Sequence, residues 1–294
     1  MVNSSVNGKS YVYGIIGNPI SHSFSPTLQN TVAGILGINS IYVPFKVESG
    51  MVSQAVNGAF ALGIKGMNVT VPHKKEVMQC LSDLDGLAEK IGAVNTLKLT
   101  ENGYKGYNTD ILGLFKCFET AGVSIRGKTA AVIGAGGAAN AAVTLAAEKG
   151  AKKIYIANRT VENAEKLKDT VRKYYGADIE AIPLGHIEKA GRPDIIIQAT
   201  SVGMGDGRPV SPVENDIIFE NAEFAVDIIY TPWETKFLLD ARKKGVKCVN
   251  GFDMLVYQGL ASFEIWNEIS IPVEKALEIR RILVSHYIEK GGRP

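Results

Sequence analysis

Short β-rich runs alternate with helical segments along most of the chain, the pattern of an α/β protein. In the first third, residues 11–16, 41–47, 66–71 and 93–99 predict strands, and 26–36, 52–62 and 72–81 predict helices. Glu101-Asn102-Gly103 has turn chemistry, so 97–99 and 104–107 predict a hairpin. A helix over 111–121, ended by Gly122, leads into a second alternating series. That series opens with an apolar run from Thr129 to Gly134, followed by an alanine-rich helix with Gly150 after its last turn. Strands follow at 154–157, 179–182, 194–198, 224–229 and 246–249, with helices at 161–175 and 234–244. From Phe252 on the pattern predicts two helices, with Pro272 near the start of the second. Right-handed crossovers would order the second series into a doubly wound parallel sheet.

The junction after the run at 129–133 reads Gly134-Ala135-Gly136-Gly137-Ala138-Ala139. Glycine lets the backbone bend sharply and approach a pyrophosphate with no Cβ in the way. A helix starting there would aim free N–H groups and its positive dipole end at those phosphates. Such a motif is weak alone, but here a strand precedes it, and a helix and a second strand follow. NAD-binding units place an acidic residue after that second strand to hold a ribose hydroxyl. This chain has Asn158-Arg159-Thr160. A guanidinium can pair with a 2′-phosphate and stack on adenine, which favours NADP over NAD. The alternatives are that Arg159 is solvated and that Thr160 caps the next helix.

The 294 residues fit one large domain or, more naturally, two, and 46% apolar with 21% charged residues describes a globular protein with an ample core. A net charge of +2 makes no case for nucleic acid or acidic membranes as partners. Cys80, Cys117 and Cys248 are scattered and odd in number, which argues against a disulfide framework and suits a reducing cytoplasm. His22, His73, His186 and His286 lack metal-ligand spacing, so no metal is expected. The first ten residues lack an apolar signal region, and no run approaches membrane-spanning length. The expectation is a cytoplasmic protein. A homodimer is compatible with the sequence, which is otherwise silent on oligomeric state.

Four further segments carry polar residues with no evident core role. In residues 18–26, Ser25 suits an N-cap with Pro26 at the first helical position, and clustered hydroxyls there suit a carboxylate. In 68–75, Lys74 would fall in the first turn of a helix, where the dipole disfavours a cation. Such a lysine is either a solvated charge or one whose proton is easily lost. The third segment pairs 92–96 with 106–110, where Asp110 would cap the helix from Ile111. The fourth pairs Asp227-Ile228-Ile229-Tyr230 with 251–258. Taken singly, each suits a structural role better than a functional one.

Together these segments resemble the shikimate dehydrogenase family, in order and over nearly the whole chain. The matches are Asn-Pro-Ile-x-His-Ser-x-Ser-Pro at 18–26, Asn-Val-Thr-Val-Pro-x-Lys at 68–74, Gly-Ala-Val-Asn-Thr at 92–96 and Asn-Thr-Asp at 108–110. They continue with Gly-x-Gly-Gly-Ala at 134–138, Asn-Arg-Thr at 158–160, Ala-Thr-Ser-x-Gly-Met at 199–204 and Gly-x-x-Met-Leu-x-x-Gln at 251–258.

The resemblance implies reversible, NADPH-dependent reduction of 3-dehydroshikimate to shikimate in aromatic amino-acid biosynthesis. It implies an α/β fold with a substrate-binding domain at 1–110 and a Rossmann-type NADP domain at 111–250. Helices at 251–294 would return to the first domain, with the active site in the cleft between domains. Lys74 and Asp110 would be the catalytic pair. Ser23 and Ser25 would hold the substrate carboxylate, with Thr70 nearby; Asn95, Asp110 and Gln258 would bind ring hydroxyls, and Tyr230 would line the pocket. Gly134, Ala135, Gly136, Gly137 and Ala138 would bind the pyrophosphate, and Asn158, Arg159 and Thr160 the 2′-phosphoadenosine end. Thr200, Ser201, Met204, Ile228 and Gly251 would lie near the rest of the cofactor.

The chain departs from the family where a second Arg is frequent after Asn-Arg-Thr, carrying Glu162-Asn163 instead; the expectation is a milder NADP preference. Gln198 and Thr231, where Asn is usual or common, put little in doubt. Ser25, where quinate-using relatives often have Thr, favours shikimate. The rivals are a quinate or dual quinate/shikimate dehydrogenase, and a non-catalytic NADP-binding regulator, against which the retention of Lys74 and Asp110 argues.

Overall fold

The computed structural model describes residues 6–205, 209–214 and 216–289. Its described residues divide into two compact units, one running up to Gly113 and again from Leu255 to Glu289, the other within Leu114–Met254.

The first unit is built on strands β1 (Tyr11–Gly17), β2 (Ser40–Lys46), β3 (Gly66–Val69), β4 (Asp83–Leu84), β5 (Thr96–Thr100) and β6 (Gly103–Tyr107). They form one sheet in the order β2-β1-β3-β5-β6-β4. The β1–β2 and β1–β3 pairs are parallel, whereas β5 runs antiparallel to β3 and β6. The β5–β6 pair is the expected hairpin. Helices α1 (Ser25–Leu36), α2 (Val52–Ala61) and α3 (Gly86–Ile91) belong to this unit. It is completed by most of α8 (Phe252–Asn267) and by α9 (Val273–Glu289). Trp266 seats α8 on the sheet. Its ring stacks on Tyr13, its Nε1 donates to the Leu97 carbonyl at 2.8 Å, and it occupies the space a Cβ at Gly66 would need.

The second unit carries β7 (Thr129–Ile133), β8 (Lys153–Asn158), β9 (Ile179–Pro183), β10 (Ile195–Gln198), β11 (Phe224–Asp227) and β12 (Lys247–Val249). All are parallel, in the order β12-β11-β10-β7-β8-β9. Counted from β7 this is 6-5-4-1-2-3, the doubly wound dinucleotide-binding order. Helices α5 (Gly137–Glu148), α6 (Val161–Tyr175) and α7 (Lys236–Lys243) provide crossovers. Residues 139–146 of α5 are all buried, and small side chains at most of them allow close packing.

Helix α4 (Asp110–Ala121) starts in the first unit and continues into the second. Gly122, at φ 65°, ends it as expected. Three expectations fail locally. Residues 72–81 form a turn followed by a 3-10 stretch, Glu76–Cys80, and no α-helix. The Lys74 carbonyl accepts from the Val94 N–H at 2.8 Å, and the Met78 N–H goes to the Lys75 carbonyl at 3.3 Å, so the α-helical ladder is not continued through Lys74. The dipole argument for Lys74 therefore lapses. Ser25 is the first residue of α1, with the cap position on Phe24. Thr160 stands at the N-cap of α6, but its side chain makes no capping bond.

Candidate active site

In the first unit the chemistry gathers where the turn after β3, the segment before β5 and the start of α4 meet. Lys74 Nζ donates to Asp110 Oδ2 at 2.5 Å, with side chains 15% and 6% exposed. Asn108 Oδ1 accepts the Asp110 N–H at 3.1 Å and so performs the capping role expected of Asp110. The Asp110 carboxylate is thereby left for side chains. Asn95 Nδ2 donates to its Oδ1 at 2.8 Å and approaches Gln258 Oε1 at 3.4 Å. Lys74, Asp110, Asn95 and Gln258 thus form one chain of contacts, contributed by four separate parts of the sequence.

Ser23 and Ser25 flank the start of α1, and the Ser25 N–H donates to Ser23 Oγ at 3.3 Å. The Tyr42 hydroxyl donates to Asn68 Oδ1 at 2.8 Å, and full burial holds that phenol well above its ordinary pKa, with the nearby Ser25 opposing the shift. Thr70 follows β3, its N–H bonded to the Ile16 carbonyl, and its methyl fills the space a Cβ at Gly17 would occupy. His73, beside Lys74, is fully buried with Nε2 2.8 Å from the Val47 carbonyl, which fixes the lysine turn.

Several contributors were not singled out from the sequence. Asn68, Thr96, Thr109, Tyr42 and Ser262 form a buried polar network behind Asn95. Asn68, Thr96 and Thr109 lay within the matched motifs. Tyr42 reads as an ordinary strand residue, and the only signal for Ser262 is a hydroxyl inside an apolar helix.

In the second unit the remaining residues lie at the C-terminal ends of the parallel strands, where ligands of doubly wound sheets bind. After β7, Gly134 adopts φ 114°, and a Cβ there would stand 3.0 Å from the Ala199 carbonyl oxygen. Gly136 occupies the N-cap of α5 with no side-chain capping bond, so the first-turn N–H groups of Gly137 and Ala138 are directed at incoming charge. Ala135 is buried beside them. After β8, Asn158 Nδ2 donates to the Thr160 carbonyl at 2.8 Å, while Arg159 and Thr160 are exposed. Thr200, Ser201 and the 59% exposed Met204 lie on the loop after β10. Ile228 follows β11 and Gly251 follows β12; a Cβ on Gly251 would overlap the Ile228 carbonyl. Tyr230, half-buried, is also in this unit. A Gly-lined turn, an uncapped helix start and an exposed Arg after β8 fit a dinucleotide 2′-phosphate in chemistry and shape. Among the described residues no group of three or more His, Cys, Asp or Glu is placed to hold a metal.

Behind the β11 loop lies Asp227, fully buried. Its Oδ2 accepts from the Thr235 hydroxyl at 2.6 Å and its Oδ1 from the Ile229 N–H at 3.0 Å. Burial pushes its pKa from 3.8 up to about 6, against both hydrogen bonds. The native state therefore keeps this proton to higher pH than the unfolded chain does. The resulting stability is fully present below 3.8 and is lost as pH rises through about 6. A shift of about two units corresponds to roughly 3 kcal/mol. Relative to Asp227→Asn, the wild type should lose about 2–3 kcal/mol between pH 4 and 7, measured by denaturant unfolding. Parallel pH profiles for the two proteins would contradict this.

Fold and site together define a class, the α/β dehydrogenases that join a dinucleotide-binding unit to a separate substrate unit. Family models agree along the chain. "Shikimate dehydrogenase substrate binding domain" matches residues 15–97, "Shikimate / quinate 5-dehydrogenase" 117–204, and "Shikimate 5'-dehydrogenase C-terminal domain" 251–278. The shikimate dehydrogenase (NADP(+)) of Caldanaerobacter subterraneus is 43% identical over 89% of this chain and 93% of its own. The Listeria monocytogenes shikimate 5-dehydrogenase, solved in complex with shikimate and NAD, is 31% identical with a TM-score of 0.84, covering 93% of this chain and 97% of that one. The Thermus thermophilus enzyme, solved in complex with NADP(H) and shikimate, is 29% identical with a TM-score of 0.79, covering 93% and 99%. The chain belongs to the shikimate dehydrogenase family.

Proposed function

We propose that this protein interconverts 3-dehydroshikimate and shikimate with NADP(H), in the biosynthesis of aromatic amino acids. The observation that carries the reading is the Lys74–Asp110 pair at 2.5 Å, backed by Asn95 and Gln258. NADPH, when bound, supplies the hydride. Lys74 provides positive charge and a proton at the carbonyl oxygen, where negative charge develops. Asp110 orients the ammonium through Oδ2 and accepts from a ring hydroxyl. Asn95 and Gln258 hold ring hydroxyls, and Ser23, Ser25 and Thr70 hold the carboxylate. Tyr230 lines the substrate pocket. The turn at Gly134–Ala138 takes the pyrophosphate, and Asn158, Arg159 and Thr160 take the 2′-phosphoadenosine end. Thr200, Ser201, Met204, Ile228 and Gly251 serve the remainder of the cofactor. The three cysteines are thiols, which suits work in a reducing cytoplasm.

Steady-state kinetics test the reading. NADPH should accumulate one-for-one with shikimate consumed. Arg159→Ala should raise KM for NADP+ about tenfold, the scale of one lost charge-assisted contact, with KM for shikimate within about twofold. No NADPH formation would overturn the reaction; an unchanged KM would remove Arg159 from cofactor recognition.

A further inference from the structure

Ser262 lies one turn after Gln258 on α8 and is fully buried. A buried helical serine ordinarily satisfies itself on the carbonyl four residues back, and Ser262 does so on Gln258 at 3.0 Å. The same oxygen also stands 3.0 Å from Asn68 Nδ2, 2.8 Å from Thr96 Oγ1 and 3.1 Å from Thr109 Oγ1. These groups come from β3, from β5 and from the residue preceding α4.

Donor and acceptor roles in this network are largely forced. The Thr109 N–H can only donate, so Asn95 must present Oδ1 to it, at 2.8 Å. Asn95 Nδ2 therefore faces Asp110 Oδ1 at 2.8 Å and Thr109 Oγ1 at 2.9 Å, with Gln258 Oε1 farther off at 3.4 Å. The Asn95 carbonyl can only accept, so Asn68 directs Nδ2 towards it at 3.1 Å and receives the Tyr42 hydroxyl on Oδ1 at 2.8 Å. Ser262, with one proton for the Gln258 carbonyl, accepts from Asn68 and from a threonine hydroxyl. Each of its side-chain neighbours touches Asn95 in turn: Thr96 and Thr109 reach Oδ1 at 3.0 and 3.2 Å, and Asn68 reaches the carbonyl. Ser262 is thus the hydroxyl cross-link between the helix carrying Gln258 and the groups that hold Asn95. The Asn95–Gln258 approach is the longest of the site contacts, at 3.4 Å, so its length depends on where α8 sits.

We propose that Ser262 is a positioning residue for substrate: its hydroxyl fixes α8 against the Asn68–Thr96–Thr109 cluster, so that Gln258 and Asn95 address the same ring. It touches no substrate and acts by setting where Gln258 stands relative to Asn95. The inference rests on the reading of Asn95 and Gln258 as ligands of the ring hydroxyls.

Calorimetric titration with shikimate and, separately, with NADP+ tests it on wild type, Ser262→Ala, Gln258→Ala and the double variant. Ser262→Ala should weaken shikimate binding about tenfold, the scale of a buried hydrogen bond left unmade, with NADP+ affinity within about twofold. Ser262→Cys, which preserves the volume, should do the same. In the Gln258→Ala background, adding Ser262→Ala should change shikimate affinity less than about twofold, because the register it sets no longer matters. Unchanged shikimate binding by Ser262→Ala overturns the proposal. So does parallel weakening of both ligands, or an equal loss in the Gln258→Ala background, since a core serine with a purely structural role would give either. Wild-type protein that binds no shikimate overturns the reading of the site, and the proposal with it; wild-type binding that Ser262→Ala leaves intact overturns the proposal alone.

Discussion

Lys74→Ala should lower kcat for shikimate oxidation by about 10²–10⁴-fold, the range of a positioned general acid–base group. KM for NADP+ should stay within about twofold, because every proposed cofactor contact lies in the other unit. A second effect is expected from burial. With the ammonium gone, the Asp110 carboxylate, 6% exposed, is left with Asn95 as its polar side-chain partner. An uncompensated buried charge is destabilising, so Tm should fall as well. Assays run well below the variant's Tm separate the two effects. Near-normal turnover would remove Lys74 from the chemistry.

Gly251→Ala should have the largest effect on stability. The Gly251 N–H bonds to the Ile229 carbonyl at 3.0 Å, and its Cα faces the Ile228 carbonyl so closely that a Cβ would overlap it. Two backbone segments must separate to admit the methyl, and neither is a flexible side chain that can turn aside. Overpacking of this kind costs about 3 kcal/mol or more. For a unit of this size that lowers Tm by roughly 6–12 °C. Because Ile228 and Gly251 follow adjacent strands β11 and β12, NADP+ binding should weaken at the same time. Thermal unfolding of the variant within about 2 °C of wild type would show that the loop yields more easily than its geometry indicates.

The second unit was the more legible in the sequence. Parallel buried strands read as apolar runs, the Gly134 turn has a fixed chemistry, and each alternation of strand and helix is local. The candidate site in the first unit was legible as residue types but not as contacts. Lys74 and Asp110 stand 36 positions apart, and only the sheet joining β3, β5 and β6 brings them together. Residues 72–81 misled because Lys74-Lys75-Glu76-Val77-Met78-Gln79 favours a helix locally. The tertiary bond from the Val94 N–H to the Lys74 carbonyl overrides that preference. Helix α3 was missed because six residues are too few for a period to show, although its Asp85 cap and Gly92 end were both present. Ser262 and Tyr42 were invisible for another reason: each sits in an apolar run, and its value lies in partners from distant segments.

The measurement that bears most directly on the account is the initial rate of NADPH formation from shikimate by purified protein, run beside quinate and beside NAD. Turnover with shikimate and NADP+, at a kcat/KM well above that of either alternative pair, is the expected result and would support the weight placed on Arg159 and Ser25. Comparable rates with quinate or NAD would contradict the specificity argument, and no turnover with any pair would contradict the assignment of Lys74 and Asp110 to the reaction.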